Sequence, residues 1–315
     1  MNRFPNTAGP ITPRPEFEIP RYLKTSLRGG IGDCLKHISC NFPLPSLYKE
    51  YGTQVFMTYE GWGVNSDREE AAIDRQKLKS LRETTSPWGD IIHKHIFHPS
   101  DFIIPVDIPT FNALNHQTVN EFFDTYGVEV DRFLTPFLPL DSSIKSRFVV
   151  SPKDRNIAIQ LDSNEGVKKL KWSTWKRLIN AILKKYQHTN IYLIDAPSNH
   201  RKIEDFFMDE KSRVFNTAGS SLSESISLIS QMDLLISPDS FSKYVALCSR
   251  VPAIILCCEL DYISPSRMLR DCFLKEMVYN DNYKLLGVEV EDDFNVKHIV
   301  KNVNDISVEE IIKYI

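Results

Sequence analysis

The sequence predicts an α/β chain of two Rossmann-like halves, each a parallel sheet flanked by helices. From residue 154 onward, short apolar β-prone runs alternate with amphipathic helical stretches, the pattern of βαβ units. Those runs contain little internal polarity, as strands buried on both faces do. Length agrees: 315 residues, at ~100–200 residues per domain, make two domains. With 42% hydrophobic and 25% charged residues, the composition is that of a folded globular chain and excludes a disordered or collagen-like one.

Taken in order, residues 1–20 are rich in proline and polar residues, lack periodicity and read as an extended arm. The first domain spans 21–140. A strand at Tyr22–Leu27 runs into Arg28-Gly29-Gly30-Ile31-Gly32-Asp33 and a helix-compatible stretch. TQVFMTY (53–59) is a second strand, and REEAAIDRQKLKSLRE (68–83) is a polar helix. IIHKHIFH (91–98) and FIIPV (102–106) are short β-prone runs. VNEFFDTYG (119–127) is helical and stops at Gly127. The proline- and serine-bearing stretch 134–153 contains the linker, placed at 141–153.

The second domain covers 154–298. Its strands are NIAIQL (156–161), NIYLIDAP (190–197), RVFNTAG (213–219), DLLISP (233–238) and PAIILCCE (252–259). Between them lie helices at Ser173–Tyr186, His200–Met208, a segment opened by the capping box Ser221-x-x-Glu224, and Ser240–Ser249. A second capping box, Ser307-x-x-Glu310, opens a C-terminal helix within 299–315, expected to pack back on the N-terminal domain.

Charge and cysteine content narrow the function classes. A net charge of -3 excludes a strongly basic nucleic-acid coat but not a local basic groove. No apolar run approaches the ~20 residues of a membrane span, and the first twenty residues have no secretory pattern. The six cysteines form no CxxC, and the sequence is expected to be cytoplasmic with reduced thiols. In a strand His93 and His95 share a face, with His98 nearby, but a metal site also needs a third ligand and usually a carboxylate or second-shell partner, so no metal site is expected.

Three stretches carry candidate chemistry. In the first, Gly30 and Gly32 allow a sharp strand-to-helix turn and close ligand approach. Asp33 then lies in the first helical turn, either as a carboxylate favouring the helix dipole or as a general base. His37, four residues on, shares its face. The second is Ser237-Pro238-Asp239-Ser240-Phe241-Ser242-Lys243-Tyr244, where a strand ends and a helix begins. Open N–H groups and the Ser240 and Ser242 hydroxyls there suit an anion, although Asp239 or Ser240 serves equally as a plain N-cap. The third is Lys168-Lys169-Leu170-Lys171-Trp172, three lysines before a helix N-terminus that is already partly positive, a combination that suits a diphosphate.

In order and spacing these stretches resemble the ADP-heptose:lipopolysaccharide heptosyltransferase family and its protein-glycosylating relatives. GGIGDCLKHISCNFPLPSLYKEYG is similar to the family's opening segment, KKLKWSTWKRLINAIL to its Lys-x-Trp segment, and SLSESISLISQMDLLISPDSFSKYVALCSRVPAIIL to its most distinctive one. There are departures. The family's glycine after Asp-Ser is Phe241 and its histidine is Tyr244. Its lysine falls at Leu170, leaving Lys169 or Lys171 to serve, and its acidic residue after the second C-domain strand falls near His200.

The resemblance implies a GT-B fold, with two Rossmann-like domains facing a central cleft, and an inverting, metal-independent glycosyltransferase without a cofactor. Asp33 would be the general base, with Gly30, Gly32 and His37 on the acceptor side. Lys169 or Lys171 would stabilise the leaving diphosphate. Asp239, Ser240, Phe241, Lys243, Tyr244 and Ser221 would bind the nucleotide-sugar donor. The acceptor would be a saccharide, a protein side chain or a hydroxymethylated DNA base. The departures at Phe241 and Tyr244 also admit a non-catalytic nucleotide-binding or assembly protein on the same scaffold.

Overall fold

The computed structural model describes residues 19–28, 51–60, 103–106, 108–119, 121–122, 146–163, 166–208, 213–258, 281–290, 296–298 and 300–315. Gly30, Gly32, Asp33 and His37 lie outside the described residues, as do the 68–83 helix and the His93–His98 run. The chain divides into two compact units, Met1–Asp141 and Ser142–Ile315.

In the first unit, β1 (Tyr22–Arg28), β2 (Gln54–Glu60) and β3 (Ile103–Pro105) form a parallel sheet in that order. Strand alternation places Leu23, Val55 and Met57 on a buried face and leaves Tyr22 and Phe56 half-exposed on the other. Helix α1 (Ile108–Ala113) follows β3, and the Lys24 ammonium donates to the Leu114 carbonyl at 2.9 Å, tying β1 to the end of α1. Phe111, Val119 and Phe122 are also buried in this unit.

The second unit carries six parallel strands: β4 (Arg155–Gln160), β5 (Thr189–Ile194), β6 (Val214–Asn216), β7 (Leu234–Pro238), β8 (Ala253–Leu256) and β9 (Tyr283–Leu286). Their order is β6-β5-β4-β7-β8-β9. β5 and β7 are buried at every position, which accounts for their mainly apolar sequence, with Thr189, Asn190 and Ser237 as the buried polar residues. Asp233 fixes the central pairing: its carboxylate accepts from the Asn156 N–H at 2.7 Å while its own N–H donates to the Asn156 carbonyl at 2.9 Å.

Helices α2 (Trp172–Lys185), α3 (His200–Phe207), α4 (Leu222–Ile229) and α5 (Phe241–Ser249) connect the strands. α2 buries Trp175, Leu178, Ile179, Ile182 and Leu183, an i, i+3, i+4, i+7, i+8 stripe. Each such side chain contributes about 1.5–3 kcal/mol on leaving water. Trp175 is fully buried, and its indole N–H donates to the Leu161 carbonyl at 3.0 Å, so its polar edge is satisfied.

The tail adds the hairpin β10 (Val288–Val290) and β11 (Val296–His298), and α6 (Val308–Ile312). The sequence expectation had no strand beyond residue 259, so β9, β10 and β11 are additions. Val308 and Ile311 of α6 enter the core of the second unit beside α2, and Arg155 donates to the Ile315 carbonyl at 2.8 Å.

Gly287 joins β9 to β10 at φ +86°, and a Cβ there would strike the Cys257 carbonyl oxygen and approach Val300 Cγ2 to 2.7 Å. Gly287→Ala is expected to destabilise by about 1–3 kcal/mol in urea unfolding. Gly166, whose Cβ position is open, is the control, and Gly166→Ala should stay within about 0.5 kcal/mol of wild type.

Candidate anion site at the carboxyl edge of the second sheet

From β4 the chain builds outward through β5 and β6, then returns to β7 on the other side of β4. The carboxyl ends of β4 and β7 therefore flank a topological switch point, where open α/β sheets place their ligands. The segment after β7 is Asp239-Ser240, and Ser240 is the N-cap residue of α5 with no side-chain cap hydrogen bond. The segment after β4 ends in the single-turn 3₁₀ helix Gly166–Lys168. That turn is closed by the Lys169 N–H on the Gly166 carbonyl at 3.1 Å and touched by the Cys258 thiol on the Val167 carbonyl at 3.5 Å.

These two segments meet in a charged triad. One oxygen of Asp239 pairs with Lys243, a turn later on α5, and the other lies 3.3 Å from the Lys168 ammonium. The Asp239, Lys168 and Lys243 side chains are only 15%, 12% and 6% exposed. Burial alone would push the Asp239 carboxyl up. Lys243 and Lys168 together outweigh burial and hold it well below the usual carboxylate range. The triad carries a net single positive charge at a helix N-terminus, which adds partial positive charge of its own. Such an arrangement attracts an anion.

The remaining groups fall into place around it. The buried Ser237 hydroxyl donates to the Pro238 carbonyl at 2.6 Å and lies 2.7 Å from Ser242 Oγ. Those two hydroxyls are therefore engaged within the turn, and Ser240 is the hydroxyl beside it. Phe241 opens α5 half-buried, and Tyr244 is buried with its ring 4.6 Å from the Lys243 ammonium. Burial pushes the Cys257 thiol up to about 12, so it is a protonated, unreactive neighbour of the triad.

The lysine that meets Asp239 is Lys168, which the sequence expectation passed over for Lys169 or Lys171. Lys169 pairs with Asp162 at 3.0 Å. Lys171 is the N-cap residue of α2, exposed, with its N–H donating to Asn304 at 2.8 Å. A 3₁₀ turn has three residues per turn, so adjacent lysines point ~120° apart; which of them faces the strand ends depends on the turn's phase. Ser221 caps α4: its hydroxyl accepts from the Glu224 N–H at 3.2 Å and Glu224 accepts from the Ser221 N–H at 2.8 Å.

A second polar cluster lies at the ends of β4 and β5. Asp195 accepts from the Ala196 N–H at 2.6 Å and from Asn199 at 3.0 Å, and its other oxygen is buried with no hydrogen-bond partner. Burial raises its pKa. His200 lies 4.0 Å from Glu204, which accepts from Asn216 at 2.6 Å. Among the described residues, no group of three His, Cys, Asp or Glu side chains could hold a metal ion, and no helix is long and apolar enough to cross a membrane.

No family model matches the sequence, and no curated protein matches it. Among solved structures, the E. coli ADP-heptose lps heptosyltransferase II is similar over 94% of this chain and 97% of its own, at 13% identity and a TM-score of 0.54. A glycosyltransferase family 9 structure from Veillonella parvula DSM 2008 is similar over 93% and 95%, at 10% identity and a TM-score of 0.52. This likeness establishes the fold: the chain is an α/β protein of the GT-B class.

The triad makes a pH-dependent contribution to stability. Asp239→Asn removes the carboxylate that pairs with both nearly buried ammonium groups and is expected to cost about 3–5 kcal/mol in urea unfolding at neutral pH. The folded pKa is depressed, so this contribution is complete above the unfolded value near ~4 and is lost as pH falls below it. The gap between wild type and Asp239→Asn should therefore hold from pH 8 to about 5 and narrow only in stronger acid.

Proposed function

We propose that this chain is a glycosyltransferase that moves a sugar from a nucleotide-diphosphate sugar to an acceptor hydroxyl, with inversion at the anomeric carbon. The observation that supports it best is the cationic triad at the switch point, with Lys168 and Lys243 beside the N-terminus of α5. A leaving diphosphate develops negative charge as the sugar C–O bond breaks. Two ammonium groups held in a nearly dry site stabilise that charge without reorganising. Ser240 and the α5 N-terminus supply further donors.

The base comes from the family resemblance and lies outside the described residues. Asp33 takes the proton of the acceptor hydroxyl, whose oxygen attacks the anomeric carbon from the face opposite the diphosphate. One C–O bond forms, one breaks, and the diphosphate leaves with the electron pair. The acceptor is a hydroxyl of a saccharide, a protein side chain or a hydroxymethylated DNA base. Retention on duplex DNA that falls steeply with salt would select the last of these. The protein works in a reducing, cytoplasmic setting, with Cys257 as a thiol.

Two experiments test this. Thermal shifts with ADP, GDP, UDP and CDP should single out one nucleotide, because a ligand at 100 times its dissociation constant stabilises by about 2.7 kcal/mol. Lys168→Ala should weaken that nucleotide at least ~10-fold, a loss of about 1.4 kcal/mol, with Lys171→Ala close to wild type. The reverse ranking would overturn the assignment of Lys168. In a product assay with the matching nucleotide sugar, Asp33→Ala should abolish transfer while leaving nucleotide binding intact, and EDTA should leave turnover unchanged. Nucleotide binding with neither transfer nor donor hydrolysis in the wild type would make the chain a binding scaffold.

A further inference from the structure

A separate cavity of about 410 Å³ opens on the β4–β5 side of the second unit, lined by Asp162, Trp172, Asn199, Lys202, Asp205 and Phe206. It is an open depression in the surface rather than an enclosed cavity. None of these residues belongs to the Lys168–Asp239–Lys243 triad. We infer that this cavity is a second saccharide subsite, which takes the ring of an uncharged sugar.

Three features of the lining point to that chemistry. The first is an aromatic wall. Trp172 opens α2 and Phe206 lies near the end of α3, with ring centroids 5.6 Å apart at 70°. Phe207, which is buried, backs both rings at 5.4 and 5.0 Å. The two outer rings stay half-exposed. The Lys176 ammonium lies over the Phe206 ring at 5.2 Å, so the half-exposed Trp172 ring is the apolar face offered to the C–H side of a sugar, with no parallel pair of rings to enclose a nucleobase.

The second feature is the mixture of donors and acceptors around that wall. Asp162 at the end of β4 and Asp205 on α3 are acceptors, Lys202 is a donor, and the Asn199 amide is both. Asn199, Lys202 and Phe206 follow the α3 spacing that puts residues on one face. Asn199 is held in place by its bond to Asp195 at 3.0 Å, and its amide nitrogen lies 3.5 Å from Asp162. The third feature is charge balance. The lining holds two carboxylates, Asp162 and Asp205, and one ammonium, Lys202, while Lys169 pairs with Asp162 at 3.0 Å from outside the lining. The two carboxylates disfavour a phosphate, and the Lys202 and Lys169 ammonium groups beside them offset the pull on a cation. A neutral polyol satisfies the whole set.

This subsite does not depend on the transferase assignment, and one experiment separates the two. The indole N–H resonances of ¹⁵N-tryptophan-labelled protein are followed by NMR, with the Trp172 signal assigned by its loss in Trp172→Phe. Methyl β-D-glucopyranoside, methyl β-D-galactopyranoside and methyl α-D-mannopyranoside are titrated in turn, with and without nucleoside diphosphate. At least one glycoside alone should move the Trp172 signal saturably, with the same affinity in Lys168→Ala. Asp205→Asn, an exposed change that leaves the core untouched, should weaken it at least ~5-fold. If no glycoside moves the signal, the subsite does not exist. If the shift requires nucleotide, or vanishes in Lys168→Ala, the cavity is part of the donor site and the inference fails. Failure of nucleotide binding in the wild type would count against the transferase and leave the glycoside result standing.

Discussion

A carboxylate taken out of water at the end of β7 needs cations around it, and much of the second unit is arranged to supply them. An uncompensated buried charge costs several kcal/mol, so Asp239 is tolerable only with Lys243 and Lys168 in place. Lys243 comes with the helix, one turn along α5. Lys168 has to be delivered from the far side of the switch point by the turn after β4. That turn is held from two directions. Asn304, near the chain's end, accepts from the Lys171 N–H at 2.8 Å and donates to the Lys169 carbonyl at 2.9 Å. Trp175 ties α2 to Leu161 at the start of the same loop. The tail, with Val303, Ile306, Val308 and Ile311 in the core, thus bears directly on where Lys168 sits.

How much of this the sequence reveals depends on how local each cause is. β4, β5, β7 and β8 are short apolar runs buried on both faces, and their composition alone marks them. α2 is marked by its burial stripe, and α4 by the reciprocal hydrogen bonds of Ser221 and Glu224. β9 to β11 are three or four residues each, and β9 is set off from β10 by Gly287, whose role is to pass under the Cys257 carbonyl. Nothing in their own sequence carries that tertiary fact. The lysine run was visible as a cationic segment. Only the phase of the 3₁₀ turn selects Lys168 from it, and that phase is fixed by residues more than a hundred positions away.

The aromatic cavity illustrates the same limit. Trp172 falls in sequence just before the helix expected from Ser173, and Phe206 lies inside another helix. Their meeting depends on α2 packing against β5 and α3 against β6, which periodicity does not specify. Asp162 is a loop residue in sequence. In the fold it pairs with Lys169, the neighbour of the triad's Lys168, and also borders the cavity. One carboxylate thus pairs with the lysine next to the anion site and also borders the proposed subsite, while the adjacent Lys168 pairs with Asp239.

The substitutions that depart from the resembled family bear on how the anion site would work. A glycine is required where φ is positive or where another atom approaches the backbone closely. Among the described residues, only Arg250 is a non-glycine with positive φ. Phe241 therefore sits in α5 with ordinary helical geometry, and replacing glycine there leaves the helix N-terminus and its donors intact. Tyr244 cannot take up or release a proton near neutrality as a histidine does, and it is buried under the Lys243 ammonium instead. The departures are thus compatible with the proposed diphosphate site, whose side-chain cations are Lys168 and Lys243 rather than a histidine.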